Sequence, residues 1–350
     1  MEYADLKTKK ISFLPLGDGT IASSRLRCYK LQDGLERLGF ISNIGFDEFT
    51  DVLFIQKRTD DAAIDAAYQC KQKSGVLIFD IDDFPDSPTF KQNSELLISL
   101  ADVVTTATHE QKKIVGHTFT GVPTEKIFYL PNPIDYELEQ PKSKFHEQRI
   151  PLKIVWFGNI ENYPMSLAKE LCCINDVEFH AITNATAGIR KNYPDCHFHD
   201  WSYENFSDML SEFDVCLLSH YGSEIFNAKS ANKMITAIVH GLPVIASRTP
   251  DYLRLSRLAE IDQWLFDDEG TLRTCIDRSR DPSLRNAFIA STQQVVWAHF
   301  HIEKILQNFL DIVREAITFA SCNDPSNVRP TTPKGLLGLI VNRLRVIVGR

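Results

Sequence analysis

The sequence has no apolar run close to the roughly 20 residues that a helix needs to span a bilayer. Its first ten residues, MEYADLKTKK, lack the apolar region of a signal peptide, so we expect a cytoplasmic protein. None of its eight cysteines forms a C-x-x-C pair, which excludes zinc ribbons and thioredoxin-type redox sites and favours reduced thiols. Excess basic charge is also missing: 38 Lys and Arg stand against 46 Asp and Glu, a formal net charge of −8, which disfavours a nucleic-acid partner.

What is present is a regular alternation of apolar runs and helical periodicities. A chain of 350 residues is long enough for about two domains. Each half contains apolar runs typical of strands: 11–16, 40–44, 52–56, 76–80, 102–107 and 127–130, then 152–158, 177–183, 198–201, 213–218, 243–247 and 264–266. Strands separated by helices of about 10–15 residues indicate βαβ units. Nearly continuous apolar strands indicate parallel sheets that are covered on both faces.

A polar and charged segment, 136–151, interrupts this alternation and is predicted to be a linker between domains. We therefore predict an α/β fold with two doubly wound Rossmann-like domains, at 1–135 and 152–320. The second domain is expected to end in a long helix near 283–319, and 321–350 is interpreted as a linker and a tail. Ligands of doubly wound sheets bind beyond the carboxyl ends of the strands, so two facing sheets predict a site in the cleft between them.

The segment 219–247 gives the strongest indication of an anion site. Its apolar periodicity predicts a helix that begins near Ser230, with Ser230 as the N-cap. A helix N-terminus presents free N–H groups and the positive end of the dipole, which favour a phosphate, and Lys229 adds a positive charge. The alternative is a capped surface helix with a solvated lysine.

The run KSANKMITAIVHGLPVIAS within this segment resembles the donor-binding segment of GT-B glycosyltransferases, particularly the family-4-like group. LPNPID (130–135) is similar to the element that ends the N-terminal half of such enzymes, and WFGN (156–159) to the glycine loop that opens their C-terminal half. The resemblance departs at the two glutamates that this family usually carries: counted back from Gly241, their positions hold Ala228 and Thr236.

This resemblance implies a GT-B fold, two Rossmann-like domains that face a central cleft. It also implies transfer of a sugar from a nucleotide-sugar donor to a glycan or lipid-linked acceptor, in cell-surface polysaccharide or lipopolysaccharide synthesis, without a metal and without a cofactor. Trp201 is a candidate for stacking on the nucleobase, although ordinary burial in the core is an equal alternative. The implied donor-binding residues are Gly158, Asn159, Trp201, His220, Tyr221, Lys229, Ser230, Asn232 and Lys233.

The first strand is followed by a loop of small residues and then by Ser24, Arg25 and Arg27. A group of sugar transferases that act on bacterial surface polysaccharides is similar here, with an Arg-x-Arg pair. The resemblance implies that these residues bind donor phosphate or an anionic acceptor. The alternative is that one arginine is solvated while the other pairs with a carboxylate.

Catalytic candidates lie at two other strand ends of the first half. Asp82 or Asp83, in FDIDDFPD, is a candidate general base toward an acceptor hydroxyl. The alternative is structural: one aspartate caps a turn and another pairs with Arg25 or Arg27. His109 follows a predicted cap, Thr108, at a position that often lines the cleft in GT-B proteins, although a lone histidine there more often makes a capping or solvent contact.

No metal site is predicted from the sequence. The aspartates of FDIDDFPD superficially match the D-x-D motif of GT-A transferases, which do not have two similar Rossmann halves. Two His-x-His pairs, 197/199 and 299/301, have no third ligand placed near them by the sequence.

The tail at 334–350 is basic and amphipathic, because its apolar residues fall on one helical face and its charges are all positive. This composition is typical of a helix that lies on an anionic membrane surface, which would make the protein peripheral on the inner face of the membrane. Packing onto the body of the protein or onto a second copy is the alternative.

Two other functions remain open at this point. A GT-B-like nucleotide-sugar epimerase would convert the donor without an acceptor. A non-catalytic scaffold protein, suggested by the missing glutamates, would bind nucleotide weakly or not at all.

Overall fold

The computed structural model describes residues 3–82, 88–119, 121–220 and 224–322. It contains two six-stranded sheets, and the recorded strand pairs within them are parallel. The first sheet has the order β2-β1-β3-β4-β5-β6. Its strands are β1 (Lys10–Leu14), β2 (Ile41–Ile44), β3 (Val52–Gln56), β4 (Val76–Ile81), β5 (Val103–Thr106) and β6 (Ile127–Tyr129).

The second sheet has the order β12-β11-β10-β7-β8-β9. Its strands are β7 (Leu152–Phe157), β8 (Val177–Ile182), β9 (His197–His199), β10 (Val215–Leu218), β11 (Val244–Ser247) and β12 (Leu265–Phe266). All twelve strands fall on the predicted apolar runs. β3, β4, β10 and β11 are buried along their whole length, as expected of strands with helices on both faces.

Helices connect the strands. They are α1 (Ala22–Ser24), α2 (Lys30–Arg37), α3 (Asp61–Gln72), α4 (Pro88–Leu100), α5 (His109–Thr118), α6 (Met165–Cys172), α7 (Ala187–Asn192), α8 (Tyr203–Met209), α9 (Glu224–Asn227), α10 (Asn232–Val239), α11 (Pro250–Leu258), α12 (Glu269–Ser279), α13 (Pro282–Phe300) and α14 (Ile302–Cys322). Arg25–Tyr29 forms a π-helical turn that joins α1 to α2. Such turns are rare and concentrate at functional sites. None of the described helices is long and apolar enough to cross a membrane.

The expected long helix near 283–319 is two helices, and they belong to different cores. α13 packs in the core of the second sheet, whereas α14 crosses back to the first. There the Phe309 ring lies 5.6 Å from both Phe13 and Phe54. The backbone turns at His301, which is extended. The helix α14, at the end of the described chain, therefore packs with the N-terminal domain. The predicted division had placed this helix in the second domain, at 152–320.

The helix α11 was not among the predicted elements. It begins with Pro250 at its first turn, after Thr249, whose side chain accepts a hydrogen bond from the Tyr252 amide. A cap followed by proline is a helix-start signal, and it was available in the sequence. The eight cysteines all lie within the described residues and form no disulfide.

Candidate functional site

A cleft of about 610 Å³ lies between the two sheets. The carboxyl ends of β1 and β7 lead into its walls, which is where ligands of doubly wound sheets bind. Of the residues predicted to bind ligand, it brings together six: Arg25, Gly158, Asn159, Trp201, Asn232 and Lys233. Several other residues of its lining were not predicted from the sequence, among them Asp135, Tyr136, Thr183, Asn184 and Phe206.

Lys233 is the most unusual charge in this cleft. It is the second residue of α10, and its Nζ atom lies 5.1 Å from the centre of the Trp156 ring. Burial, and to a smaller extent the charge of Lys229, lower the pKa of Lys233 to about 8. No carboxylate pairs with Lys233 anywhere in the described part of the chain. A cation that is desolvated without a counter-ion is costly, and an anionic ligand would relieve this cost.

Gly158 makes room for this lysine. A Cβ atom added at Gly158 would meet the Cε atom of Lys233 at 3.1 Å and the Trp156 ring at 3.2 Å. The φ angle of +154° at Gly158 is also one that side-chain-bearing residues rarely adopt. The predicted glycine loop therefore allows the amine of Lys233 to approach the backbone closely.

The N-terminus of α10 is arranged differently from the prediction. Ser230 is not its cap: the N-cap is Ala231, which has no side chain able to cap. The buried carboxylate of Asp251, on α11, instead accepts a hydrogen bond of 2.6 Å from the Ala231 amide. Asp251 is held in turn by the Arg254 Nε, at 2.8 Å. The N–H groups of the first residues of α10 have no acceptor within the helix, so they remain suited to a phosphate.

His220 lies beside this helix start, at the end of β10. Its amide donates to the Ser247 hydroxyl (2.8 Å), and its ring stacks between Phe226 and Tyr252, with centroids 5.5 and 5.7 Å away. Burial and the nearby lysine charges lower its pKa to about 3, so the imidazole is neutral at physiological pH. Its Nδ1 atom and the Tyr252 hydroxyl are buried without hydrogen-bond partners, which suits a polar ligand.

Other predicted donor-binding residues take different places. Lys229 is half-buried and close enough to His220 and Lys233 to depress the pKa of both. Trp201 is half-buried and lines the cleft. Its backbone amide donates a hydrogen bond of 3.2 Å to the Asn184 side chain. Tyr221 lies outside the described residues.

Arg25 and Arg27 are both paired with carboxylates; Arg25 is half-buried, and Arg27 is buried. Arg25 makes two 2.8 Å hydrogen bonds to Asp135, and its guanidinium lies 4.8 Å from the Tyr203 ring. Arg27 is fully buried against Asp80. It also donates to the Leu130 carbonyl (2.9 Å) and to the Asn132 side chain (2.7 Å).

Both arginines thus hold the predicted LPNPID element that leads from one domain to the other. Arg25 lines the cleft and stays available to a ligand at its rim. Arg27 is 1% exposed, so direct contact with an acceptor finds no support in this geometry. Ser24 is also buried, accepting from the Gly17 amide at 3.1 Å and donating to Gln56 at 3.2 Å.

Two of the catalytic candidates, Asp82 and His109, lie at the carboxyl edge of the first sheet. The Asp82 carboxylate accepts from the Gln56 side chain at 3.4 Å and lies 3.8 Å from the Lys57 amine. Asp83 lies outside the described residues. His109 begins α5, after Thr108, which caps that helix as predicted.

The His109 ring stacks on Tyr129 with centroids 4.1 Å apart. Burial, followed by the charge of Arg254, lowers its pKa. His109 begins α5, which contacts α11 of the other half, and it lies outside the lining of the cleft cavity described above.

Thr183 and Asn184 could have been found from the sequence. They follow β8 directly, at the carboxyl edge where ligands of such sheets bind. The Thr183 hydroxyl is buried and has no hydrogen-bond partner. In the described ranges, no group of three or more His, Cys, Asp or Glu is arranged to hold a metal ion.

No protein-family model matches the chain, and no curated protein matches it by sequence. Solved structures match its fold. The α,α-trehalose-phosphate synthase (UDP-forming) from Burkholderia vietnamiensis aligns with a TM-score of 0.60 and 11% identity, over 92% of this chain and 99% of that one. WaaG, a glycosyltransferase involved in lipopolysaccharide biosynthesis, aligns with a TM-score of 0.57 and 10% identity, over 87% and 99%. TarM aligns with a TM-score of 0.55 and 15% identity, over 81% of this chain and 57% of TarM.

These neighbours confirm the predicted fold class. The chain has the α/β GT-B fold, with two Rossmann-like domains and a cleft between them. Identities of 10–15% establish the fold and leave the substrates open.

Proposed function

We propose that this protein is a glycosyltransferase of the hexosyltransferase type, which moves a sugar from a nucleotide-sugar donor to a glycan or glycolipid acceptor. The observation that carries the proposal is Lys233, a half-buried cation without a carboxylate partner in the described residues, at the N-terminus of α10 and in the cleft. A nucleoside diphosphate supplies the missing negative charge. The fold supports the same conclusion, since its neighbours include glycosyltransferases.

The diphosphate would lie against the first N–H groups of α10 and the amine of Lys233, with Lys229 nearby. These groups are fixed before the donor binds, so they stabilise the charge that grows on the leaving diphosphate without reorganisation. This arrangement requires no metal ion. Thr183, Asn184 and Trp201 supply polar and aromatic contacts for the nucleobase, and the neutral His220 with Tyr252 lies toward the sugar.

The acceptor would enter from the first half of the chain, past Arg25, with Asp82 or Asp83 as the candidate base. Thr236 lines the cleft at the position of the second family-4 glutamate. It offers a hydroxyl where the family has a carboxylate, so we propose that ribose and sugar contacts rely more on Asn232 and Lys233. Reduced cysteines and a nucleotide-sugar donor fit a cytoplasmic reaction in the assembly of surface polysaccharide or lipopolysaccharide.

The test is a thermal-shift screen of the purified protein against UDP, GDP, CDP, ADP and dTDP, with and without EDTA. We expect one nucleotide to raise the Tm by several degrees, and EDTA to leave that shift unchanged, because binding to the folded state stabilises it. Lys229→Ala should reduce the shift while keeping the Tm of the free protein. Lys191→Ala, which removes an exposed lysine of α7, is the matched control.

Two outcomes would contradict the proposal. The first is the absence of any shift at millimolar nucleotide. The second is a shift that disappears with EDTA, which would assign phosphate binding to a metal ion.

A further inference from the structure

The start of α5 contacts both a catalytic candidate and the segment that leads into α10. This helix belongs to the first half of the chain and begins with Thr108 as its N-cap. Thr108 and Gln111 form a capping box, in which each side chain accepts a hydrogen bond from the other residue's backbone amide. Both residues are buried, with exposures of 0% and 3%. The box uses an acceptor atom of each side chain, so the hydrogens of the hydroxyl and of the amide are available to other partners.

The hydroxyl of Thr108 reaches the second half of the chain. Its oxygen accepts from the Gln111 amide at 3.0 Å, and its hydrogen is donated to the backbone carbonyl of Ala228 at 3.1 Å. Ala228 is 3% exposed. A buried carbonyl that loses its donor costs more free energy than an ordinary hydrogen bond contributes, so this contact holds the Ala228 backbone in place.

The side chain of Gln111 reaches in the other direction, to the end of β4. Its oxygen accepts from the backbone amides of Ala107, at 2.8 Å, and Thr108, at 3.2 Å. Its nitrogen donates to the backbone carbonyl of Asp82 at 2.9 Å. The orientation of the Gln111 amide is fixed, because a flip would oppose its nitrogen to two other donors. One capping box therefore contacts the backbone of the candidate base and the backbone of the second domain.

The segment 228–231, which Thr108 contacts, joins α9 to α10 and contains Lys229. Its first residue is held by Thr108. At its other end, the Ala231 amide donates to the Asp251 carboxylate at 2.6 Å. Side chains from two distant parts of the chain therefore fix the residues that immediately precede the proposed phosphate-binding N–H groups.

The second of these contacts is also linked to the first half of the chain. Arg254 donates to Asp251 at 2.8 Å, and its guanidinium lies 5.4 Å from the centre of the Tyr129 ring, in β6. Arg254 acts on the segment 228–231 only through Asp251, whereas Thr108 donates to the segment directly. Thr108 is therefore the residue to test.

We propose that Thr108 is a positioning residue: its hydroxyl holds the segment 228–231 of the second domain in a fixed place relative to the end of β4, where Asp82 lies. It acts through Ala228 and Gln111, and its own side chain is fully buried, so it touches no substrate. Sugar transfer requires the donor diphosphate and the base in one arrangement, and groups that are fixed before binding avoid the cost of ordering them. The inference concerns how the diphosphate site is held and, in that respect, rests on the proposed function.

Hydrogen exchange of the free protein, measured by mass spectrometry, tests this contact without any ligand. Thr108→Val keeps the shape of the side chain and removes its hydroxyl. We expect the amides of 228–232 to exchange about tenfold faster, because the Ala228 carbonyl is left buried without its donor. Thr108→Ser keeps the hydroxyl and should restore the exchange of the wild type.

Thr108→Asp separates the contact with Ala228 from the cap of α5. Aspartate is as good an N-cap as threonine, so it can still accept from the Gln111 amide and keep α5 in place. Its carboxylate cannot donate to the Ala228 carbonyl, so the exchange of 228–232 should rise as in Thr108→Val. This variant decides the question if Thr108→Val does not fold.

Thr271→Val is the matched control. The helix α12 also begins with a capping box, in which the exposed Thr271 hydroxyl accepts from the Asp268 amide at 3.0 Å. Its loss removes a capping contact of the same kind, away from the residues that line the cleft. We expect faster exchange at the start of α12 and no change at 228–232.

Titration calorimetry with inorganic pyrophosphate, the group that nucleoside diphosphates share, connects the contact to binding. Thr108→Val should bind pyrophosphate about five- to tenfold more weakly than the wild type, since its segment must be ordered on binding. Thr108→Ser and Thr271→Val should bind like the wild type.

The proposal is overturned if the exchange of 228–232 in Thr108→Val and Thr108→Asp equals that of Thr271→Val. It is also overturned if Thr108→Val binds pyrophosphate as tightly as this control. A wild-type protein that does not bind pyrophosphate contradicts the proposed function instead, and the exchange of the free protein still decides whether Thr108 holds the segment.

Discussion

The carboxyl edges of the two sheets differ in whether a desolvated positive charge is paired with a carboxylate. In the first sheet, Arg27 is buried against Asp80, and the Thr105 hydroxyl donates to the same carboxylate at 2.6 Å. In the second sheet, Lys233 is desolvated at the start of α10 and contacts the face of Trp156. Its neighbourhood also contains buried polar atoms without partners, on His220 and Tyr252.

This difference distinguishes residues that stabilise the fold from residues that are available to bind a ligand. A buried ion pair whose members are fully hydrogen-bonded has nothing left to offer a ligand, and it fixes the chain around it. A half-buried cation without a counter-ion and buried polar atoms without partners cost stability unless something binds them. We therefore expect disruption of the first edge to unfold the protein, and disruption of the second edge to abolish binding while leaving the fold intact.

The largest effect is expected from Arg27→Met. This change leaves the Asp80 carboxylate buried without its cation, which typically costs about 3–5 kcal/mol of the free energy of unfolding. Urea unfolding followed by circular dichroism measures this loss. Arg25→Met is the matched control, because the Arg25–Asp135 pair is less buried than the Arg27–Asp80 pair and its loss should cost less, about 1.5–3 kcal/mol. Equal losses in the two variants would show that Arg27 is not the scaffold residue inferred here.

Lys233→Met should weaken nucleotide binding without reducing the stability of the protein. Methionine fills a similar volume without the charge, so the free protein should keep or raise its Tm. The dissociation constant of the nucleotide identified by thermal shift should rise roughly 10- to 100-fold, the usual cost of losing a hydrogen bond to a charged group. Isothermal titration calorimetry measures the constant. An unchanged affinity would move the phosphate site away from α10.

The strands could be predicted from the sequence, whereas the side-chain contacts between distant parts of the chain could not. The central strands, such as β3, β4, β10 and β11, were predictable because a strand covered on both faces requires a continuous apolar run. The Thr108 cap was predictable for a similar reason: its partner, Gln111, is three residues away. Local patterns determine such features.

Long-range partners had no such signal. Arg25 and Arg27 are two residues apart, yet one lines the cleft and the other is buried against β4. The cap of α10 comes from Asp251, twenty residues further along the chain. The turn at His301, between α13 and α14, contains neither proline nor glycine. The direction of α14 is set by its packing against the core of the first sheet. Only the folded chain brings these groups together.

The smallest expected effect, and the sharpest test of the comparison, is the pH dependence of nucleotide binding. The pKa of Lys233 is lowered to about 8, so its charge is lost just above neutral pH. If only the protonated form binds, the dissociation constant should increase about tenfold between pH 7 and pH 9. Titration calorimetry across this range measures the change, and the nucleotide's own second phosphate pKa, about 6, lies below it.

Deprotonation of Lys233 should weaken nucleotide binding but increase the stability of the free protein. A lysine whose pKa is lower in the folded state than in the unfolded chain destabilises the fold while it is charged, so its penalty is relieved as the pH rises above 8. Relative to Lys233→Met, the wild-type protein without nucleotide should therefore gain stability between pH 8 and pH 10 while its nucleotide affinity falls. Both Arg25→Met and Arg27→Met retain Lys233, and guanidinium groups stay charged throughout this range, so the difference in stability between the wild type and either arginine variant should not change with pH. A pH profile of affinity that is identical in the wild type and in Lys233→Met would contradict the assignment of Lys233 as the phosphate-binding cation.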